Sequence, residues 1–392
     1  TIVGTILMST SSDSTEIPKG NLQGFKAHAK NDILSGFLVF LIALPLCLGI
    51  SLASGYPAVA GIFTAIIGGL VATFLSNSEL TIKGPAAGMI VIALGCVQEF
   101  GFTGGVDPAK DFEAYRLALG VGVVAGVFQI IMGLFRAGIL VKLCPAPAIH
   151  GLLASIGIII ISKQFPILMG LNPQGSPLAL LAGIPSFVIN MNPKVGLIGI
   201  LGVTIVLGYG YIKNPKLKVI PAPMMMLLII VPMAIFMGIG VDGSYAFNNQ
   251  IYELGQKFLV NVPASLLNAV TFPDFSGITT ETGIKYTVLF AIIGSLESIL
   301  SAKAIEAIDP WNRKTNLDRD LLATGLANTL AAVIGGLPMI SEIVRSKANI
   351  DNGAKTRFAN FWHGMFLLIC VALIPGVINQ IPLAALAALL VI

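Results

Sequence analysis

One glutamate of the sequence lies deep inside an apolar segment. Glu297 stands in the run LFAIIGSLESILSAKAIE, about two helical turns inside a stretch long enough to cross a membrane. An unpaired carboxylate costs several kcal/mol there, so it requires a proton or a partner. Ser301 lies one turn further on the same helix face, so its hydroxyl and the carboxylate converge. The pair predicts binding of Na⁺ or H⁺, unless Glu297 is a hydrogen-bonded structural carboxylate between packed helices.

Two short segments with a glycine-proline break have the chemistry to bind an anion. The first, TIKGPAAGMIVIALG, contains Gly84 and Pro85, and the second, GGLPMISEIVRSKANI, contains Pro338. Each break predicts an extended stretch followed by a helix that begins inside the apolar layer. The start of such a helix offers unpaired N–H groups and about half a positive charge, which suits an anion. The alternative is that both prolines only kink continuous helices.

The predicted anion contacts lie at these two breaks and are largely backbone groups. They are Gly84, Pro85, Ala86, Ala87, Met339, Ile340 and Ser341. Glu342 and Arg345 are spaced i,i+3, which predicts a local ion pair. Asn328 is expected to bridge the broken backbone or to support helix packing. In the first apolar segment, Pro45 is expected to bend the helix so that three apolar residues line the site: Ala43, Leu46 and Ile50.

The composition indicates that lipid surrounds most of the chain. Hydrophobic residues make up 55% and charged residues 11%, and the mean hydropathy is +0.89. Apolar stretches recur from Ile33 to Ile392, and many approach the ~20 residues that cross a bilayer as a helix. These features predict an all-α polytopic membrane protein and exclude a single anchor or a cleaved signal peptide.

Enzymatic, metal and nucleic-acid functions find no support in the sequence. The cysteines do not form metal-type pairs, and neither an HExxH motif nor a nucleophile elbow occurs. We therefore expect neither an enzyme nor a cofactor. The net charge of +4 is attributed to cytoplasmic loops and not to a nucleic-acid surface.

The apolar segments predict twelve spans. They lie near 33–53, 57–75, 84–98, 115–135, 139–162, 195–212, 219–239, 286–304, 320–336, 339–350, 358–375 and 381–392. The apolar segment 177–190 lies between spans and is interpreted as interfacial or re-entrant. With a cytoplasmic N-terminus, four basic segments share one face, as the positive-inside rule requires. These are 136–142, 213–218, 303–319 and 345–357.

The positions of the two broken segments indicate an inverted repeat. Each is the third span of its half of the chain, with the second half beginning near 286. Broken helices at equivalent places in two halves are typical of a transport site near the bilayer midplane.

Several stretches resemble the SulP family of anion transporters. They are the opening run from DILSGF to AIIGGL, the Gly84-Pro85 segment, and the stretch from Pro338 through Arg345 to NGAKT. The resemblance covers about residues 31–392. It implies a fourteen-helix, seven-plus-seven inverted-repeat fold (UraA-like), in which a core domain slides against a gate domain. The last two helices and the usual C-terminal STAS domain of the family are expected to be absent from this chain.

The resemblance also implies domain boundaries. They are a disordered cytoplasmic leader (1–30), the first half of the core (31–136), the first half of the gate (137–240), an extracytoplasmic loop (241–285), the second half of the core (286–375) and an incomplete second half of the gate (376–392).

Site residues follow from the same resemblance. Glu297 and Ser301 resemble the Asp-x-x-x-Thr pair that binds the coupling sodium in the bicarbonate-transporting branch, and the longer carboxylate leaves Na⁺ and H⁺ open. Arg345 matches an arginine that the family carries near its anion site, with a cytoplasm-facing charge as the alternative. Ala86 stands where chloride-handling members have an aromatic residue, which disfavours a chloride channel.

Together these observations predict a secondary active transporter in the plasma or inner membrane. Its expected substrate is a small inorganic anion, bicarbonate first and sulfate second, coupled to Na⁺ or H⁺ by an elevator-type motion. The expected partners are this anion, the lipid bilayer and a second copy of the chain, held partly by regions missing here. The alternatives are an uncoupled exchanger, a dicarboxylate or nucleobase carrier, and a non-transporting receptor or scaffold.

Overall fold

The computed structural model describes residues 17–139, 146–173, 175–212 and 220–392. Most of these residues are helical, as expected where lipid cannot satisfy backbone groups. The helices are α1 (Leu22–Ala27), α2 (Ala29–Ala53), α3 (Val59–Ile67), α4 (Thr73–Leu75), α5 (Ile90–Glu99), α6 (Pro108–Leu134), α7 (Ala146–Leu168), α8 (Pro177–Ala182), α9 (Ile184–Ile189), α10 (Pro193–Tyr209), α11 (Ala222–Phe236), α12 (Leu266–Ala269), α13 (Glu281–Ile308), α14 (Leu317–Val333), α15 (Ile343–Asp351), α16 (Phe358–Leu373), α17 (Pro375–Ile378) and α18 (Leu383–Val391). The strands are β1 (Ile82–Pro85), β2 (Gly243–Phe247), β3 (Gln250–Leu254) and β4 (Met339–Glu342).

Two helices continue through irregular turns. A π-helical turn, Gly68–Ala72, joins α3 to α4, and a 3₁₀ turn, Ala87–Met89, leads directly into α5. The latter makes Ala87–Glu99 one continuous helical segment. Among the described residues, α2, α6 and α13 are long and apolar enough to cross a membrane by length and composition.

The helices agree with the predicted spans except at some ends. The fourth span begins at Pro108, before the predicted 115, because Asp107 caps α6 by accepting the N–H groups of Ala109 and Lys110. The predicted span 139–162 and the basic segment 136–142 lie partly outside the described residues, and the basic segment 213–218 lies wholly outside them. Segment 177–190 forms the two short helices α8 and α9.

The predicted disordered leader is too long. Residues 1–16 lie outside the described part, but α1 already begins at Leu22 and α2 at Ala29. The Asn21 side chain caps α1, and Phe25 packs edge-on against Phe358 and stacks on Trp362. These contacts hold the segment before residue 30 against α16.

The 241–285 loop contains a β-hairpin that the sequence analysis did not predict. Strands β2 and β3 pair in antiparallel register from Gly243↔Leu254 to Phe247↔Gln250. Asn248 and Asn249 form the turn with positive φ angles of 49° and 63°. A two-residue turn with both φ angles positive matches the right-handed twist of a hairpin, and asparagine tolerates it.

The helices pack around two main apolar clusters. The larger one joins residues of α2, α3 and α16 to residues of α10, α11 and α18. The second joins α5, α6 and α13. Ala86 and Ile340, which lie at the two broken segments, are buried in the second cluster. The broken segments are therefore held against α5, α6 and α13.

Candidate functional site

The two broken segments cross each other inside the protein. β1 and β4 pair antiparallel, with Lys83 opposite Ser341, Gly84 opposite Ile340 and Pro85 opposite Met339. All residues of both strands are buried. Each strand leads into a helix, the Ala87–Glu99 segment and α15. The predicted extended stretch followed by a helix is thus confirmed for both segments, and the two segments meet.

Two carboxylates occupy the start of the Ala87–Glu99 segment. Glu297 lies against Gly88, where an added Cβ atom would overlap its carboxylate, and Glu342 interacts with the backbone of Ala87. The N–H of Ala86 donates to the carbonyl oxygen of Pro338 at 3.1 Å. Negative charge is favourable at a helix N-terminus. The backbone N–H of Ala86, predicted to bind an anion, is thus bound to a group of the protein itself here. Contact of Ala86 and Ala87 with an anion stays a prediction.

Side chains of neighbouring helices bind the backbone of β4. Met339 donates its N–H to Asn328 Oδ1 at 2.6 Å, and Asn328 Nδ2 donates back to the Met339 carbonyl oxygen at 3.1 Å. Ser341 donates its N–H to Ser298 Oγ at 3.2 Å. Asn328 therefore bridges the broken backbone, which was one of its two predicted roles. The N–H groups of Met339 and Ser341 are likewise occupied.

Arg345 is a buried cation at this site. The residue is only 1% exposed, and its Nη1 lies 3.5 Å from Cys47 Sγ on α2. Its Nε and Nη2 have no hydrogen-bond partner among the residues that the structure describes. The alternative of a cytoplasm-facing, snorkelling charge is therefore wrong, because the side chain points into the protein. Arg345 interacts electrostatically with Glu342, but no ion pair of the described residues joins them at contact distance, so the predicted local pair is not formed.

Gly84 is required for the close approach of Arg345. A Cβ atom on Gly84 would overlap Arg345 Nη1 and lie 3.4 Å from Cζ. The guanidinium group thus lies directly against the backbone of β1. This contact brings the unpartnered donors of Arg345 to the crossing of the two strands.

A Cβ atom on Gly88 would likewise overlap the carboxylate of Glu297, and this close contact gives a testable prediction. In Gly88→Ala the added methyl would lie within 2.7 Å of Glu297 Cδ and Oε2, so the carboxylate has to move. Because the sequence predicts that Glu297 binds a coupling cation, we expect the cation concentration for half-maximal uptake to rise about tenfold, which corresponds to about 1.4 kcal/mol. The measurement is uptake into vesicles against cation concentration. Gly208→Ala is the matched control, because a Cβ there has no neighbour within 4 Å; equal effects of both changes would contradict the prediction.

The predicted cation pair is brought only partly into this site. Glu297 is half-buried, and its Oε2 is buried without a partner in the described part of the chain. Ser301 is buried, at 3% exposure, one turn further along α13. The hydrogen bond from α13 to β4 is made by Ser298 instead. Binding of Na⁺ by Glu297 and Ser301 stays a prediction.

Helix α2 contributes the predicted apolar side chains and one residue that was missed. Ala43 and Ile50 are buried, Leu46 is half-buried, and Ile50 packs with Ala87 and Ile90. Cys47, one turn after Ala43, is the residue that contacts Arg345. Its signal in the sequence was its position on the face already predicted to line the site.

Sequence reasoning also missed a buried ion pair. Lys83 Nζ lies 2.7 Å from Asp320 Oδ2 and donates to Ser341 Oγ at 2.5 Å. Both charged residues are 1% exposed. Ser76 donates its hydroxyl to Asp320 Oδ1 at 2.5 Å. A lysine directly before a glycine-proline break was the available signal, because charges inside membrane segments need a partner.

A small cavity lies beside the crossing strands, between α6, α13 and α14. Its polar lining comes from Gln129 and Asn328, which are hydrogen-bonded to each other at 2.7 Å. Pro338 and Met339 close one side, whereas Glu297 and Arg345 do not line it. The cavity is therefore separate from the charged group.

A polytopic helical chain whose distant broken segments cross around buried charges has the architecture of an inverted-repeat transporter. A family model described as the sulfate permease family matches residues 29–392. The chain belongs to this family.

The curated relatives agree with the assignment of the chain to this family. The bicarbonate transporter BicA of Picosynechococcus sp. is 25% identical over 366 residues, which are 92% of this chain and 61% of the relative. Sulfate transporter 2.1 of Arabidopsis thaliana is 22% identical over 368 residues, which are 92% and 52%. The chain therefore spans between half and two thirds of these relatives.

The fold matches the transmembrane domain of a cyanobacterial BicA. The TM-score is 0.78 at 24% identity, covering 93% of this chain and 87% of that one. The UraA-like inverted-repeat fold and the resemblance to the SulP family are thereby confirmed. The relatives are anion transporters and not enzymes, in agreement with the prediction.

Proposed function

We propose that this protein is a secondary active transporter of a small inorganic anion, bicarbonate first and sulfate second, coupled to Na⁺ or H⁺. The observation that carries the proposal is Arg345, a buried guanidinium group with two unpartnered donors at the crossing of β1 and β4. A planar cation with free N–H groups suits the oxygens of bicarbonate or sulfate.

Coupling to a cation is supported by Glu297. Its carboxylate lies against Gly88, and one oxygen is buried without a partner in the described structure. A carboxylate in this environment needs a compensating cation. The names of the relatives support an anion as substrate.

Alternating access is proposed to carry this site across the membrane as a core domain moves against a gate domain. In the same proposal the N-terminus is cytoplasmic, the protein lies in the plasma or inner membrane, and two copies form a dimer. The packing of α18 against α7 and α10 is compatible with a gate built from both halves of the chain.

The test is uptake of radiolabelled bicarbonate into vesicles that contain the full-length protein. One arm applies a Na⁺ gradient at equal pH, and the other applies a pH gradient without Na⁺. We expect one of the two gradients to drive accumulation, and unlabelled sulfate to compete. Uptake that ignores both gradients and requires an anion inside the vesicle would instead favour the uncoupled exchanger. Binding without flux would favour a receptor.

Glu297→Gln is expected to abolish gradient-driven accumulation while the protein still folds. Glutamine keeps the shape of the side chain and removes the charge that binds the cation. Uptake with and without the gradient should become equal, and size-exclusion elution should be unchanged. Glu99→Gln is the matched control, because Glu99 forms a surface ion pair with Lys285 at 2.5 Å. Wild-type accumulation by Glu297→Gln would make Glu297 a structural residue.

A further inference from the structure

Gln129 is a buried amide that the proposed transport site does not yet use. It lies on α6, is only 2% exposed, and accepts a hydrogen bond from Asn328 Nδ2 at 2.7 Å. Close packing of the two helices holds its base, because a Cβ atom on Gly325 of α14 would lie 2.9 Å from Gln129 Cβ. Small residues let membrane helices approach until their polar side chains can meet. Gln129 therefore contacts α14 at a fixed place.

The hydrogen bond from Asn328 to Gln129 is connected to β4. Strand β4 pairs with β1 along one edge, and on its other edge Asn328 binds both the N–H and the carbonyl oxygen of Met339. Backbone groups inside an apolar layer need such partners, because water cannot supply them there. Asn328 thus takes the place of a neighbouring strand at Met339, and the orientation of its amide decides whether this part of β4 is held.

The hydrogen bonds leave one orientation for both amides. The Met339 N–H donates to Asn328 Oδ1, so Asn328 Nδ2 faces the Met339 carbonyl oxygen. The second hydrogen of this NH₂ group needs an acceptor of its own. Gln129 Oε1 is that acceptor. Removing it leaves a buried donor unpaired, which costs more than an average hydrogen bond contributes.

Helix α13 leaves room for the end of the Gln129 side chain. A Cβ atom on Gly294 would lie 3.1 Å from Gln129 Nε2, and Gly294 stands one turn before Glu297 on α13. Gln129 and Gly294 both line the small cavity beside β4, whose volume of about 10 Å³ is close to the minimum for one water molecule. The Gln129 amide therefore lies where α6, α13, α14 and β4 meet.

We propose that Gln129 is a positioning residue for anion transport: its Oε1 holds the Asn328 amide, and that amide holds β4 at Met339. This role rests on the proposed function, because β4 leads directly into α15, which carries Arg345. Without the acceptor, β4 is correctly placed for a smaller fraction of the time. The apparent affinity for the anion falls by that fraction.

The first experiment measures bicarbonate uptake by Gln129→Met, which keeps the length of the side chain and removes the acceptor. We expect the half-saturating concentration to rise about 3- to 30-fold, the range that one hydrogen bond between membrane helices contributes. The maximal rate per folded protein should stay within about twofold of the wild type. Gln98→Met is the matched control, because Gln98 is exposed near the end of α5. A fall of the maximal rate alone indicates general misfolding and overturns the proposal.

The double variant Gln129→Met/Asn328→Ala tests the path through Asn328. Because Gln129 acts through this residue, we expect the double variant and Asn328→Ala alone to have the same half-saturating concentration. Residues that share one hydrogen-bond network give such non-additive effects, whereas independent residues give effects that multiply. Multiplying effects of Gln129→Met and Asn328→Ala overturn the proposal.

Hydrogen exchange of the Met339 amide, in purified protein in detergent micelles, does not require transport. We expect exchange in Gln129→Met to be about 3- to 30-fold faster at Met339 and unchanged in the β2–β3 hairpin. Unchanged exchange at Met339 overturns the proposal. If Gln129→Met elutes as an aggregate, Gly294→Ala is used, because its methyl group has to displace Gln129 Nε2. A wild type that takes up neither bicarbonate nor sulfate refutes the proposed function, and the exchange rates still decide whether Gln129 holds β4.

Discussion

Replacement of Arg345 by glutamine is expected to reduce anion uptake by about 100- to 10,000-fold. Each lost hydrogen bond to a charged group costs about 1.5–3 kcal/mol, and about 1.4 kcal/mol corresponds to a factor of ten. Two donors of Arg345, Nε and Nη2, are without a partner in the described structure and are available to the anion. The loss is large because the neighbouring backbone donors at Ala86, Met339 and Ser341 are already occupied.

The measurement for Arg345→Gln is initial uptake at several bicarbonate concentrations, normalised to the amount of protein that elutes as a single species. Arg345→Lys retains the charge but not the planar arrangement of donors, so we expect an intermediate loss. Arg319→Gln serves as the control, because this arginine is exposed and donates to the carbonyl oxygen of Leu75 outside the site. Uptake by Arg345→Gln at the rate of the control would show that the anion does not depend on this side chain.

Lys83→Met is expected to lower the free energy of unfolding by about 3–5 kcal/mol, the usual cost of leaving one partner of a buried ion pair. The change leaves the carboxylate of Asp320, which is 1% exposed, without its ion-pair partner, and it also removes the donor to Ser341. The measurement is denaturant unfolding of the purified protein in detergent micelles.

The double variant Lys83→Met/Asp320→Leu shows whether the loss of stability comes from the unpaired charge or from general misfolding. Replacing both charges by apolar groups is often close to neutral, so most of the stability should return. Lys347→Met on α15 is the control, since its pair with Asp351 is exposed and contributes about 0.3–0.5 kcal/mol. If Lys83→Met and Lys347→Met have equal effects, the buried pair does not stabilise the crossing.

Hydropathy and proline position predicted the parts of the fold that depend on local sequence. The apolar stretches placed the helices because lipid leaves helices as the available backbone structure. The glycine-proline breaks before Ala87 and at Pro338 predicted extended segments because proline prevents a helix from continuing through them. Glu297 stood out because a charge inside an apolar run is costly.

The contacts between segments that are distant in the chain could not be predicted from the local sequence. The local sequence does not show whether the Glu342 carboxylate pairs with Arg345 or turns towards the backbone of Ala87, since both lie within reach of its side chain. Lys83 and Asp320 each lie near the end of an apolar stretch, where a charge facing water is equally reasonable. The hairpin of β2 and β3 had a local signal, Asn248 and Asn249, but the surrounding loop has no strong alternation of apolar residues.

The pairing of β1 with β4 sets an order for membrane insertion. Lys83 and Ser341 lie side by side but are 258 residues apart in the chain. At about 5–20 residues per second, a ribosome completes β4 roughly 10 to 50 s after β1. Throughout this interval the β1 backbone and the Lys83 ammonium lack their final partners, which is unfavourable in hydrocarbon. We therefore expect β1 to stay hydrated or bound to other groups until β4 is made and pairs with it.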